Sequence, residues 1–363
     1  MTLTRRVLTT ALVFCASVAA VLADYTQPPG APGSDAARMP TMTQVEPRQF
    51  IESLPFTITN SGPYVVTKNL TGVGGSNGII IQASSVTLDL NGFGLRGVPG
   101  SLNGIYVSGT RSFIVIQNGA VSNWGQYGIQ GDTAHGSKVR DILLAGNSSR
   151  GCAMGTNTAI SRCSAANNGG DGFNVKNDSI IEECAAKANS GRGFYALPGS
   201  IIHKSVADDN SGHGFDVQSQ GQISFCTASY NNDGFHVTNC CSVLDSSAYG
   251  NNTGFNGWND VVFSRCVAYS NTYGFYGAMS CTFSDCSAYA NTWQGIYGDN
   301  GCSVMNCTSY ENYNGIGGRN GCRISSSVAH NNVGEGFWSG AARRWKAVRQ
   351  WAMPPASTRR SAA

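Results

Sequence analysis

Residues 160–175 read Ile-Ser-Arg-Cys-Ser-Ala-Ala-Asn-Asn-Gly-Gly-Asp-Gly-Phe-Asn-Val, and residues 181–196 return to the same pattern as Ile-Glu-Glu-Cys-Ala-Ala-Lys-Ala-Asn-Ser-Gly-Arg-Gly-Phe-Tyr-Ala. With Cys163 as origin, the spacing of 20 or 21 residues carries through nine turns: Cys163, Cys184, Ser205, Cys226, Ser246, Cys266, Cys286, Cys307 and Ser327. An apolar column runs three residues ahead of it, from Ile160 to Ile324. A small-residue column follows two residues behind, from Ala165 to Ala329, and five residues behind every turn has asparagine, from Asn168 to Asn332. One such unit cannot bury its own apolar face, so the units must stack as a solenoid.

Leucine is scarce in these turns, which excludes a leucine-rich frame. Short runs of β-branched and aromatic residues alternate instead with Gly, Asn, Ser and Asp, the composition of strands and tight turns. Phe173 and Val175 share strand parity, as do Cys163 and Ala165. Ile160 breaks that parity, so a bend is expected between Ile160 and Cys163. The reading is all-β, with three short strands per rung of about 20–21 residues, stacked in parallel about 4.8 Å apart.

Through the Gly-Phe or Gly-Ile step, the Ile-x-x-Cys-x-Ala step and the Asn that follows, the sequence resembles right-handed parallel β-helix proteins of the pectate-lyase-like superfamily. The resemblance covers roughly residues 75–340. The run Val86 to Gly92 is similar to the opening segment of such proteins, and fainter turns occur at Ile105 and Ile129. It implies a right-handed β-helix solenoid and no particular enzyme. Gly212-His213-Gly214 and Asn232-Asp233-Gly234 are similar to pieces of the polygalacturonase signature, but their order is reversed. The double-aspartate and Arg-x-Lys elements of that family are missing. So are the stacked carboxylates of the pectate-lyase calcium site and the Asp-Pro-His run of alginate epimerases.

Residues 1–23 read as a secretory signal, with Arg5 and Arg6 ahead of an apolar run and cleavage expected after Ala23. Residues 24–48, with five prolines, read as an extended linker. The β-helix domain is expected over 49–340, and a basic cap or tail over 341–363, with a short helix from about Ala341 to Ala352 as one form of that cap. The mature chain is then expected to be secreted, periplasmic or at the cell surface, with no transmembrane segment.

Charged residues make up 12% of the chain and the formal net charge is +3. No Lys/Arg cluster runs through the repeats, so nucleic acid is not an expected partner. Of 13 cysteines, Cys15 lies in the signal, six fall in the first column, and Cys241, Cys281, Cys302 and Cys322 form a second one. Serine replaces cysteine in the first column, so the position reads as a small buried side chain, with free thiols acting as small hydrophobes. No Cys-x-x-Cys pair or His-rich run points to a metal, and no cofactor is expected.

A site on such a solenoid shows as unlike polar residues at one offset in successive turns. Two residues before the Phe of the Gly-Phe step stand Asp171, Arg192, His213 and Asp233, and one residue after it Asn174, Tyr195, Asp216 and His236. Acid, imidazole and guanidinium on one edge supply the groups of acid–base chemistry, so Asp171, Arg192, His213, Asp216, Asp233 and His236 are the candidate catalytic residues. Turn chemistry accounts for Asp171 and Asp233 equally well. Tyr273, Tyr276, Trp293, Tyr297 and Trp338 continue the edge, and Tyr249, Tyr269, Tyr289 and Tyr310 form a separate column. Both aromatic stripes are candidate ligand-binding surfaces, since rigid aromatic faces suit sugar rings. Stacking between neighbouring rungs also stabilises a sheet without any ligand. The expected function is recognition of a polysaccharide or cell-surface glycan without evident catalysis. The alternatives are a polysaccharide lyase, glycoside hydrolase or epimerase, or a structural surface protein or adhesin.

Overall fold

The computed structural model describes residues 48–339 and the backbone of strands 345–346 and 349–351. The signal reading and nearly all of the linker lie outside the described residues. The described chain is all-β. Its typical rung carries three short strands, as in Ala159–Ser161, Ser164–Ala166 and Phe173–Val175. They form three stacks, named here the Ile, Ala and Phe stacks. The pairing is parallel and in register, with Ile160, Ile181 and Ile202 aligned, then Ala165, Ala186 and Ala207, then Phe173, Phe194 and Phe215. Among the described residues the Phe stack is a 14-stranded sheet, running from Phe56–Ile58 to Phe337–Ser339.

The expected bend sits at the residue before the cysteine origin. Arg162, Glu183 and Lys204 adopt φ of 50°, 53° and 47°, a left-handed corner that turns the chain between the Ile and Ala stacks. The origin residue closes that corner. Cys184 Sγ donates to the Glu182 carbonyl at 3.2 Å, and Ser205 Oγ donates to that of His203 at 2.9 Å. Each also accepts the backbone N–H of the origin residue one rung earlier, as Ser205 Oγ does from Cys184 at 3.2 Å. The column therefore selects a short side chain that can both donate and accept, a sharper demand than small hydrophobic volume. All twelve described cysteines are unpaired, and burial pushes the Cys226 thiol up to about 12.

The core holds the three inward columns. Phe173, Phe194, Phe215, Phe235, Phe255 and Phe275 stack ring on ring, with centroids 4.6–5.2 Å apart. The glycine before each Phe is set by close approach, since a Cβ on Gly193 would lie 2.6 Å from the Gly214 carbonyl oxygen and 3.0 Å from the Asn210 amide. That amide belongs to the asparagine ladder. Asn189 donates from its backbone N and its Nδ2 to Asn210 Oδ1, at 3.1 and 2.9 Å, and Asn210 repeats both bonds to Asn231 at 3.0 Å.

The C-terminal end corrects the sequence reading. Strands at Trp345–Lys346 and Arg349–Trp351 stand where a capping helix is expected, and they align Trp345 with Ile324 and Gln350 with Ala329. The backbone thus keeps the 21-residue step after the side-chain pattern has lapsed. The edge of the preceding rung explains why: its unpaired N–H and C=O groups are satisfied by another strand and left open by a helix.

Candidate functional site

On the Phe stack the aromatic ring points inward, and the residues two before and one after it crowd the opposite face. Register places Asn174, Tyr195, Asp216, His236, Asn256, Tyr276 and Tyr297 in one column. The companion column continues from Asp233 through Thr253 and Tyr273 to Gln294. The charged edge and the first aromatic stripe therefore share one sheet face on successive rungs.

The charged edge is a closed network. Asp171 accepts from Arg150 Nε at 3.1 Å, Asn174 Nδ2 at 3.2 Å and the Arg192 backbone at 3.0 Å. Arg192 covers the Tyr195 ring, its guanidinium carbon 4.0 Å from the centroid, and its Nε lies 3.2 Å from Asp216. Asp216, 5% exposed, also meets Gln218 Nε2 at 2.8 Å and His236 Nδ1 at 3.1 Å. Asp233 accepts from Asn256 Nδ2 at 2.9 Å.

His213 stands apart from this network. Its ring stacks on His236 with centroids 4.5 Å apart, and its Nδ1 lies 3.4 Å from Asp233. That buried nitrogen makes no hydrogen bond. Burial holds the His213 pKa below the usual imidazole range, aided by the neighbouring His236 and opposed by the Asp233 carboxylate. The six candidate residues are thus brought together: Arg192 links Asp171 to Asp216, Asp216 meets His236, and His213 lies between His236 and Asp233.

One rung beyond Asp233 the face opens into a hollow of about 390 Å³, lined by Thr253, Tyr273, Tyr276, Trp293, Gln294, Tyr297 and Trp338. Strand length changes here. Strands of the Phe stack have three residues at Phe173–Val175, Phe194–Ala196 and Phe215–Val217, but seven at Thr253–Asn259, Tyr273–Met279 and Gln294–Asn300. The spacing from ladder Asn to Phe also changes, from five residues at Asn210–Phe215 to four at Asn251–Phe255 and Asn271–Phe275. At Asn291–Ile296 it returns to five, and since Tyr273 aligns with Gln294, the extra residue is Trp293. Trp293 is 44% exposed and its ring stacks on Tyr313 at 4.9 Å. Burial raises the pKa values of Tyr276 and Tyr297, and the Asp299 charge adds to it.

Trp338 reaches the hollow by folding back over Gly317. Tyr297 aligns with Gly317 and Gly317 with Trp338, yet the Tyr297 and Trp338 rings stack at 5.3 Å across the intervening rung. A Cβ at Gly317 would fall inside the Trp338 indole. Gly317→Ala is therefore expected to displace this half-buried ring and, if the hollow takes a ligand, to weaken its binding about tenfold. The unfolding midpoint should stay within a few degrees of the parent value in the same preparation. A binding constant unchanged beside a collapsed midpoint would refute this placement of the ring.

The second aromatic stripe lies on the Ala stack, away from the hollow. Tyr249, Tyr269, Tyr289 and Tyr310 stack face to face at 5.0–5.2 Å and continue onto His330. Each inner ring thus covers its neighbour's faces. At the left-handed corner before the cysteine origin, Arg162 pairs with Asp141 and Arg265 with Asp245, each at 2.7 Å. Such solvated pairs contribute little to stability. Sequence reading missed Asn256, Gln218 and Trp258, the last set edge-on to His236 at 6.2 Å. Continuing the His236 column by one rung would have found Asn256.

A family model described as a right handed beta helix region matches residues 68–225. Among solved structures, the chain is similar to the A-module of the mannuronan C-5 epimerase AlgE4 of Azotobacter vinelandii. That match has 14% identity over 80% of this chain and 91% of that one, with a TM-score of 0.49. It is also similar to a tailspike protein of E. coli bacteriophage HK620 in complex with pentasaccharide, at 14% identity over 80% and 71%, with a TM-score of 0.46. The periplasmic alginate epimerase AlgG matches at 12% identity over 78% and 79%, with a TM-score of 0.38. No curated protein gives a significant match. With its parallel register and three-stack rung, the chain is a right-handed parallel β-helix repeat protein.

Proposed function

We propose that this protein is an exported glycan-binding β-helix that seats a saccharide in the hollow on the outer face of the Phe stack. The observation carrying this reading is the lining itself: Tyr273, Tyr276, Trp293, Tyr297 and Trp338 around one opening, with Thr253 and Gln294 as the polar groups. Rigid aromatic rings offer apolar area at low entropic cost, and the amide and hydroxyls can meet sugar hydroxyls. No lining residue is charged, which favours a neutral sugar at this position. Export is supported by the basic residues and apolar run within 1–23.

A second reading rests on His213. Its unbonded Nδ1 lies beside Asp233; the hollow is one rung from Asp233 and two from His213's own rung, and the pair supplies the groups for proton exchange with a sugar that extends beyond the hollow. One experiment separates the two. The protein is titrated calorimetrically against neutral and acidic oligosaccharides, and each mixture is then searched for product. Binding without turnover is expected, with Trp293→Ala and Tyr297→Ala each weakening it about tenfold or more. Turnover lost in His213→Ala and in Asp233→Ala would replace the binding reading with the catalytic one. Failure to bind any glycan would sink both and favour a structural surface protein.

A further inference from the structure

His213 and Asp216 share one rung and His236 lies on the next, and one donor atom from each lies within 4.8 Å of the others. Two imidazoles and one carboxylate are the donor set of a borderline divalent cation such as Zn(II), Co(II) or Ni(II). Hard calcium and magnesium prefer oxygen alone. The set is scattered through the sequence as unlike members of two columns, so no spacing motif announces it.

The surroundings are those of a supported site. Asp216 Oδ2 lies 3.2 Å from Arg192 Nε, and Oδ1, the oxygen that faces His236, also accepts from Gln218 Nε2 at 2.8 Å, so both sides of the carboxylate are fixed. The separation of 3.1 Å between His236 Nδ1 and Asp216 Oδ1 is close to that of two ligands sharing one metal at about 2.0–2.1 Å each. His213 supplies the independent observation: its Nδ1 is buried and makes no hydrogen bond, a costly state for a polar atom that a ligand would relieve. The adjacent Asp233 carboxylate, 3.4 Å from that nitrogen, adds negative potential to a place already holding Asp216.

We infer that His213, Asp216 and His236 form a binding site for a first-row divalent metal of the zinc type, with Asp233 beside it. Two rings only 10° from parallel direct their lone pairs along separate planes, so closing the donors onto one ion requires the His213 ring to turn out of its stack on His236, a movement that no hydrogen bond of its Nδ1 opposes. This inference does not depend on the glycan reading, since metal binding is measured with no sugar present.

The test uses untagged full-length protein freed of metal by chelation and titrated with Co(II) and Zn(II). One equivalent bound at micromolar affinity or tighter is expected, with visible Co(II) bands of nitrogen and oxygen ligation. His213→Ala and His236→Ala should each weaken binding at least about tenfold, and Asp216→Asn should do the same while thermal unfolding shows the variants folded. Three results would overturn the inference: no binding at micromolar metal, binding unchanged in His213→Ala and His236→Ala, or near-ultraviolet sulfur-to-cobalt charge transfer, which would place the ion on the cysteines.

Discussion

Asn210→Leu is expected to destabilise the solenoid by about 4 kcal/mol, more than any surface change could. Asn210 is 2% exposed, and its Oδ1 accepts from both the backbone N and the Nδ2 of Asn189. Its own Nδ2 donates to the Ala186 carbonyl at 3.1 Å and to Asn231 Oδ1 at 3.0 Å. Leucine has similar volume but strands the Asn189 donors and the Ala186 acceptor where no water reaches, and each such group costs about 1–3 kcal/mol. In a solenoid the damage spreads only to neighbouring rungs, so hydrogen exchange should quicken near residues 189–231 before it does at the ends. Urea unfolding gives the total. A loss below about 1 kcal/mol would mean that the ladder is incidental to stability.

Phe235→Ala is expected to cost about 3–5 kcal/mol and to disable the polar cluster at the same time. The Phe235 ring is fully buried between Phe215 and Phe255, with centroids 4.9 and 4.6 Å away. Its removal leaves a hole that the rigidly registered rungs cannot close. His236 is the next residue and Asp233 lies two before, so a shift of this strand displaces His236 from Asp216 and Asp233 from Asn256. Phe235→Leu keeps most of the volume and should lose less than about 1.5 kcal/mol. Denaturant unfolding of the two variants, read beside Co(II) binding, checks the link. Full metal affinity in a destabilised Phe235→Ala protein would show that the strand does not hold the cluster.

The repeating columns made the fold legible because each marks an inward position whose neighbours above and below are copies of itself. Ile160 and Cys163, out of strand parity, marked the bend that Arg162 makes. The polar edge was legible as an exception to the repeat, but its pairings were not. Whether Asp216 meets Arg192, Gln218 or His236 depends on side-chain reach across rungs, which spacing does not encode. Trp338 shows the same limit from the other side: its contact with Tyr297 exists because Gly317 leaves the intervening rung empty, a relation between residues 297, 317 and 338 that no single column displays. The cysteine column is small, buried and free of disulfides as its pattern indicates, but its hydrogen bonds were not legible, for a simpler reason. Its partners are backbone carbonyls and N–H groups, and main-chain atoms leave no trace in a sequence.

The added residue at Trp293 has a practical corollary. The asparagine ladder runs unbroken through Asn271, Asn291 and Asn312, and Phe275 remains aligned with Ile296, so the extra length is absorbed wholly between those two anchors. That short connection is a natural splice point. A recognition peptide grafted there, in any chosen rung, would inherit a rigid frame on both sides and project over the same face as Trp293, leaving the frame's own pairing undisturbed.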